Sequence, residues 1–227
     1  MSEPLDRPVW HALTGRQAHL AVAHGAAVRI DPGYGLFVAI REPSAECWEA
    51  LAATLVGMDD TVGLVELEHS PPPASFRVLR EAELVQMVWV AGEVPPEHDP
   101  RIVLLDETDA ALMAELALAT EPGPWSTRTH RYGAYYGIRV GDRLAAMAGE
   151  RLLLPGLAEV SGVCTWPEFR GQGMAAALIR KVMHGFQQRG DQPFLHCYGH
   201  NSGAIGLYEK MGFRLRRRLS LLVLALA

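Results

Sequence analysis

No apolar run in this chain reaches the ~18 residues that a membrane-spanning helix needs. The tail LSLLVLALA is apolar but short and carries no lipidation motif, so a buried strand is expected there rather than a membrane contact. Cysteine is scarce: Cys47, Cys164 and Cys197 form no CxxC pair. That excludes a disulfide framework and points to a reducing, cytoplasmic location. Positive charge is not in excess, with 21 Lys+Arg against 26 Asp+Glu and a net charge of -5, which argues against a nucleic-acid partner. The opening MSEPLDRPVWHAL has acid early and no apolar core, so no signal peptide is expected. There is no internal repeat and no low-complexity tract. What remains is an ordinary globular composition, 49% hydrophobic and 21% charged. Its 227 residues suffice for one large domain or two small ones, each with a core.

Punctuation along the chain predicts alternating helices and strands. Thr14 with Gln17 three residues on reads as a capping box, and Gly25 as the stop of that helix. GLFVAI (35–40) reads as a strand, and SAECWEALAATLVG as an amphipathic helix capped by Ser44. TVGLVEL and ELVQMVWVAG follow as strands. GEVPPEHDP (92–100) is the best linker, which predicts an N-terminal α/β part over 1–97 and a second domain over 98–227. There, RIVLL is a strand, Asp106 caps a helix, and Gly141-Asp142 turns a hairpin. AEVSGVCTW is a strand, RGQGMAAALIRK a turn opening a helix, and PFLHCY a strand. NSGAIGLYEKMG is a helix capped by Asn201 and stopped by Gly212, and FRLRRRLSLLVLALA is a final strand or strand pair. RLRRR (214–218) splits between the two faces of a strand, so a solvated face is preferred to a nucleic-acid patch, with an acidic acceptor left open.

The turn Arg170-Gly171-Gln172-Gly173-Met174-Ala175 carries the chemistry. Glycines at a helix N-terminus bare N–H groups where the helix dipole is positive, which suits an anion. The dinucleotide pattern G-x-G-x-x-G/A is matched in letters but not in place. The acid Asp191 precedes a strand instead of ending one, and WPEF separates the turn from its strand. No Gly-Lys-Ser/Thr is present, so the Walker pattern fails. On the two glycines alone, a tight turn without ligand stays open.

The longer context VCTWPEFRGQGMAAALI resembles the central signature of the GNAT superfamily of acyl-CoA-dependent N-acyltransferases, and NSGAIGLYEKMGF resembles that family's second conserved block. The resemblance covers roughly 101–227. It implies an α/β (α+β) fold with a mixed, mostly antiparallel central sheet and flanking helices. The first part of the chain shows neither motif. Its helix–strand pattern is read as a degenerate, catalytically empty copy of the same fold.

The resemblance also implies roles. Acetyl-CoA is the co-substrate, and no metal is called for. Arg170, Gly171, Gln172, Gly173, Met174 and Ala175 would hold the pyrophosphate, with Arg170 contacting phosphate or bracing the turn. The strand at Val163, Cys164 and Thr165 would receive the pantetheine arm through the backbone of Val163 and Thr165, as an added strand would. Cys164 itself is read as a small buried residue, not a nucleophile. Asn201 caps its helix and contacts the cofactor arm. Tyr208 would protonate the leaving thiolate, or only pack. Glu159, placed by strand alternation on the face of Val163, is the candidate base, with a salt-bridged role as its alternative. His196, Cys197 and His200 lack a recognised metal spacing; His196 or Tyr198 could face the acceptor instead.

The expected function is transfer of an acetyl or short acyl group to a primary amine by direct attack. The acceptor is a small molecule or a peptide, and a homodimer is left open. The rivals are a non-catalytic acyl-CoA-binding regulatory module and a nucleotide-dependent oxidoreductase. Residues 1–91, with Trp125, are expected to wall the acceptor pocket.

Overall fold

The computed structural model describes residues 3–55, 57, 59–68 and 70–227. Its strands are β1 (Ala21–His24), β2 (Ala27–Ile30), β3 (Phe37–Ile40), β4 (Val62–Glu66), β5 (Phe76–Trp89) and β6 (Ile102–Leu105), followed by β7 (Tyr135–Val140), β8 (Arg143–Leu154), β9 (Leu157–Thr165), β10 (Gln192–Tyr198) and β11 (Phe213–Leu226). The helices are α1 (Pro8–Leu13), α2 (Ala45–Ala52), α3 (Ala110–Thr120), α4 (Met174–Gln188) and α5 (Ser202–Met211). All eleven strands form one sheet in the order β1-β2-β3-β4-β11-β5-β10-β9-β8-β7-β6. Only β3–β4 and β9–β10 run parallel, each pair bridged by a helix, so the sheet is mixed and mostly antiparallel.

That order is nearly a palindrome. β1, β2, β3 and β4 mirror β7, β8, β9 and β10, while β11 and β5 exchange places at the centre. Helix α2 connects β3 to β4 as α4 connects β9 to β10. The last strand of each half is therefore hydrogen-bonded into the other half: β5 pairs with β10, and β11 with β4. The central β5–β11 pair runs almost the full length of both strands, from Phe213↔Trp89 to Leu226↔Phe76. No equivalent of α5 lies between β4 and β5 among the described residues.

Side-chain periodicity explains the layers. In α4, Met174, Leu178, Val182 and Phe186 recur every fourth residue and bury one stripe against Val85, Met87, Ile138 and Val160 of the sheet. On the other face, Val9 and Leu13 of α1 pack on Phe37, Leu152, Leu154 and Phe194, and Met113 and Leu116 of α3 pack on Tyr135 and Met147. Trp48 and Leu51 of α2 cover Val38, Leu64 and Leu224.

Two local expectations change. Thr14 ends α1 instead of starting a helix, because Pro8 opens that helix at a position where its missing N–H costs nothing. Gln17 is buried and spends its amide on strand β8, donating to Arg151 O at 2.7 Å and accepting from Leu153 N at 3.1 Å. Gly25 turns the β1–β2 hairpin rather than stopping a helix. The 92–100 segment is also packed tightly: Val94 is buried and takes a 2.7 Å bond from its N–H to Gln187, and Glu97 pairs with Arg180 at 2.8 Å.

Candidate active site

The ladder between β9 and β10 stops after Val160↔Leu195, although β9 continues to Thr165 and β10 to Tyr198. Each strand stays paired on its far side, β9 with β8 and β10 with β5. The strands therefore part like a V. The cause lies at Gly162, whose φ of 60° sits at a register shift against β8, a bulge that bends the strand. A cleft of about 580 Å³ fills the opening.

The glycine turn forms one wall. Gly171 and Gly173 have φ of 77° and 75°, and a Cβ on either would meet no protein atom within 4 Å. The first intrahelical bond of α4 is made by Ala177 to Gly173 O, which leaves the N–H groups of Met174, Ala175 and Ala176 directed at the cleft they line. The Met174 side chain is buried in the core, so only its backbone faces a ligand. Arg170 uses Nε on Thr165 O at 3.2 Å, which braces the turn. Asn201 caps α5 by accepting from Ala204 N at 3.1 Å, and Tyr208, one face of its ring on Phe213, lines the wall opposite. Burial pushes the Tyr208 phenol well above its usual range, so it stays protonated. Val163 and Thr165 line the cleft, and the Thr165 Oγ1 is buried without a protein partner among the described residues.

Cys164 lines the same strand but turns its thiol into the α3 layer, where it donates to Gly162 O at 3.3 Å. Burial pushes that thiol up to about 12, which suits an inert packing residue. Cys197 is likewise pushed up to about 11 by burial. No group of three or more His, Cys, Asp or Glu able to hold a metal occurs among the described residues.

Glu159 occupies a different place from the one strand alternation gives. The bulge at Gly162 inserts a residue, so Val163 shares the α4 face with Ala158 and Val160, while Glu159 points to the opposite face. It is fully buried and does not line the cleft. Arg151 holds it with two bonds of 2.8 and 2.6 Å, Leu152 N lies at 3.3 Å, and His196 Nδ1 at 2.7 Å. Burial alone would raise this carboxyl; the charge and hydrogen bonds of Arg151, joined by His196, bring it down to about 2. A carboxylate so placed has no free lone pair for a substrate proton, and its role is to hold Arg151 and His196.

Those two residues, with Thr120, Glu121, Pro122, Ser161 and Tyr198, also line the cleft. None of the described residues of 1–91 lines the cleft; Gln86 stands one layer behind it, against His196. Trp125 packs edge-on against Tyr135 at 5.7 Å rather than on the cleft wall. Glu121 was not legible beforehand: an acid at the end of a helix, before Pro-Gly-Pro, reads as a solvated stop.

A related cleft occurs at the mirrored position. The β3–β4 ladder also ends early, after Val38↔Leu64. Here the guanidinium of Arg7 fills the gap, donating to Ile40 O, to Arg41 O at 2.8 Å and to both oxygens of Glu66 at 3.1 Å. No glycine turn flanks it, since REPS (41–44) leads into α2.

Sheet, helices and cleft together define a protein of acyl-transfer fold, with central strands parting beside the bare N-terminus of a helix. A family model described as FR47-like protein matches residues 135–221. A solved structure from Novosphingobium aromaticivorans, described as a protein from the GNAT family, is 52% identical, covers 100% of both chains and superposes with a TM-score of 0.93. A GCN5-related N-acetyltransferase from Kribbella flavida (16% identity, 97% of this chain and 93% of that one, TM-score 0.61) and a GCN5-related N-acetyltransferase-like protein from Streptococcus suis (15% identity, 96% and 92%, TM-score 0.59) share the fold. No curated protein matches the chain. The chain belongs to the GNAT family. No helix among the described residues is long and apolar enough to cross a membrane.

Proposed function

We propose that this protein is an acetyltransferase that moves an acetyl or short acyl group from acyl-CoA to a primary amine by direct attack. One observation carries the reading: a single cleft is lined by a parted strand, three uncommitted helix N–H groups and a buried, protonated tyrosine.

The donor fits these residues. Its pyrophosphate would lie on the N–H groups of Met174, Ala175 and Ala176, where the dipole of α4 is positive and glycines leave room for close approach. Its amide arm would add to the open edge of β9 at Val163 and Thr165. The thioester, when bound, supplies an acyl group already activated for attack. Asn201 keeps its side-chain NH2 for the arm while its oxygen caps α5. As the C–N bond forms and the C–S bond breaks, Tyr208 gives its phenol proton to the leaving sulfur, and the proton shed by the amine nitrogen returns to the phenolate through solvent water. Burial raises the proton affinity of phenolate and thiolate alike, so the transfer stays near balance in the dry cleft. A regulatory module that only bound acyl-CoA would have no use for that hydroxyl.

In the same reading, residues 1–97 are a degenerate copy of the catalytic half at 98–227. The mirrored strand order supports this, as does the Arg7–Glu66 pair that spans the second opening where the first has a glycine turn. Titration with acetyl-CoA should give one site per chain. A panel of primary amines should release CoA thiol with matching N-acylated product.

A further inference from the structure

Glu121 ends α3 with a left-handed backbone, φ 47°, the one non-glycine residue in that region among the described residues. Helices usually place glycine there, so glutamate sits at this position against a local preference. Its neighbours fix its position. The Thr120 side chain reaches the Cys164 thiol on β9, and the Cβ position of Gly123 lies 3.8 Å from Arg151 NH1 on β8. Between those anchors Glu121 is exposed and lines the cleft. No hydrogen bond or ion pair engages its carboxylate among the described residues.

The surrounding charges are already matched. Arg151 is neutralised by Glu159 at 2.6 Å. Gln86 is oriented by Arg216 NH1 on its oxygen at 2.9 Å and by Leu5 O on its nitrogen at 2.8 Å, so that nitrogen donates to His196 Nε2 at 3.0 Å. His196 therefore turns Nδ1 toward Glu159, 2.7 Å away. Thr120, Pro122, Ser161 and Tyr198 add no charge. One unmatched negative charge remains among these residues.

We infer that Glu121 is the acceptor-recognising carboxylate, which binds an ammonium group of the acceptor while a second, neutral amine of the same molecule attacks, and so selects acceptors such as diamines over amines that carry a carboxylate. This rests on the acyltransferase reading above. Glu121 is exposed, so its pairing with an ammonium is worth about two- to fivefold in affinity.

The test uses putrescine and beta-alanine with the full-length protein and its Glu121→Gln and Glu121→Gly variants. Glycine suits the left-handed backbone, so Glu121→Gly should melt no lower than wild type. Wild type should favour putrescine. Both variants should raise its KM about two- to fivefold, with acetyl-CoA Kd unchanged and the preference over beta-alanine lost; Glu121→Asp should recover part of it. Calorimetry of putrescine against the CoA-loaded protein gives a readout independent of turnover. Binding that the variants lose supports the inference even if no amine is acylated, in which case the acyltransferase reading alone fails. Variants that bind and use putrescine as wild type does, or a wild type that binds neither amine, would overturn it.

Discussion

The side-chain amide of Gln86 lies 3.0 Å from Nε2 of His196, so a strand of the N-terminal half donates to a residue lining the cleft of the other half. The contact exists because β5 is inserted between β10 and β11. Fully buried, Gln86 also donates to Leu5 O and accepts from Arg216. Gln86→Leu removes all three bonds at once. Leaving several buried polar groups unpaired should cost about 3 kcal/mol in a urea melt. A loss near zero would show that water replaces the amide.

Glu159 gives a pH signature of definite sign. Its folded-state pKa is depressed, so it stabilises the native state above the unfolded carboxyl value of about 4.3, and that part is lost as pH falls toward about 2. Glu159→Gln leaves the Arg151 charge buried and uncompensated, which should cost about 3–5 kcal/mol at neutral pH. The gap between wild type and variant should narrow steadily below pH about 4.3. A gap independent of pH would contradict the ion-pair account.

Gly173→Val tests the turn. No protein atom lies within 4 Å of the added Cβ, so the variant should fold, with a backbone penalty of about 1–2 kcal/mol from its positive φ. The branched side chain stands where the pyrophosphate would approach, and calorimetry should show acetyl-CoA binding largely lost. Unchanged affinity in the folded variant would remove the turn from the donor site.

Much of the catalytic half was legible because its signals are local. The RGQGMA turn, the Asn201 cap and the spacing of Tyr208 each lie within a few residues, and one cleft gathers them. What misled were features settled by distant partners or by one backbone angle. Gln17 reads as a cap until β8 claims its amide 134 residues away. Glu159 reads as cleft-facing until the Gly162 bulge shifts the alternation by one. The exchange of β5 and β11 depends on pairings between the chain's two halves, which no short window of sequence contains.

Tyr208→Phe isolates one hydroxyl while the ring keeps its packing on Phe213, 5.9 Å between centroids. If the phenol protonates the leaving sulfur, kcat should fall about a hundredfold or more while Kd for acetyl-CoA hardly moves. A twofold loss would mean that the ring only fills space, and a raised Kd with kcat intact would make Tyr208 a binding residue.

The central claim, direct transfer from acyl-CoA to a primary amine, is tested most directly by following CoA thiol release from acetyl-CoA with and without amine. The account predicts release only when a primary amine is present, equal to the N-acetylated product formed, with no acetyl group left on the protein. A burst of thiol matching the enzyme concentration in the absence of amine would reveal an acyl-enzyme. Tight acetyl-CoA binding with no release across the amine panel would make the protein a binding module instead.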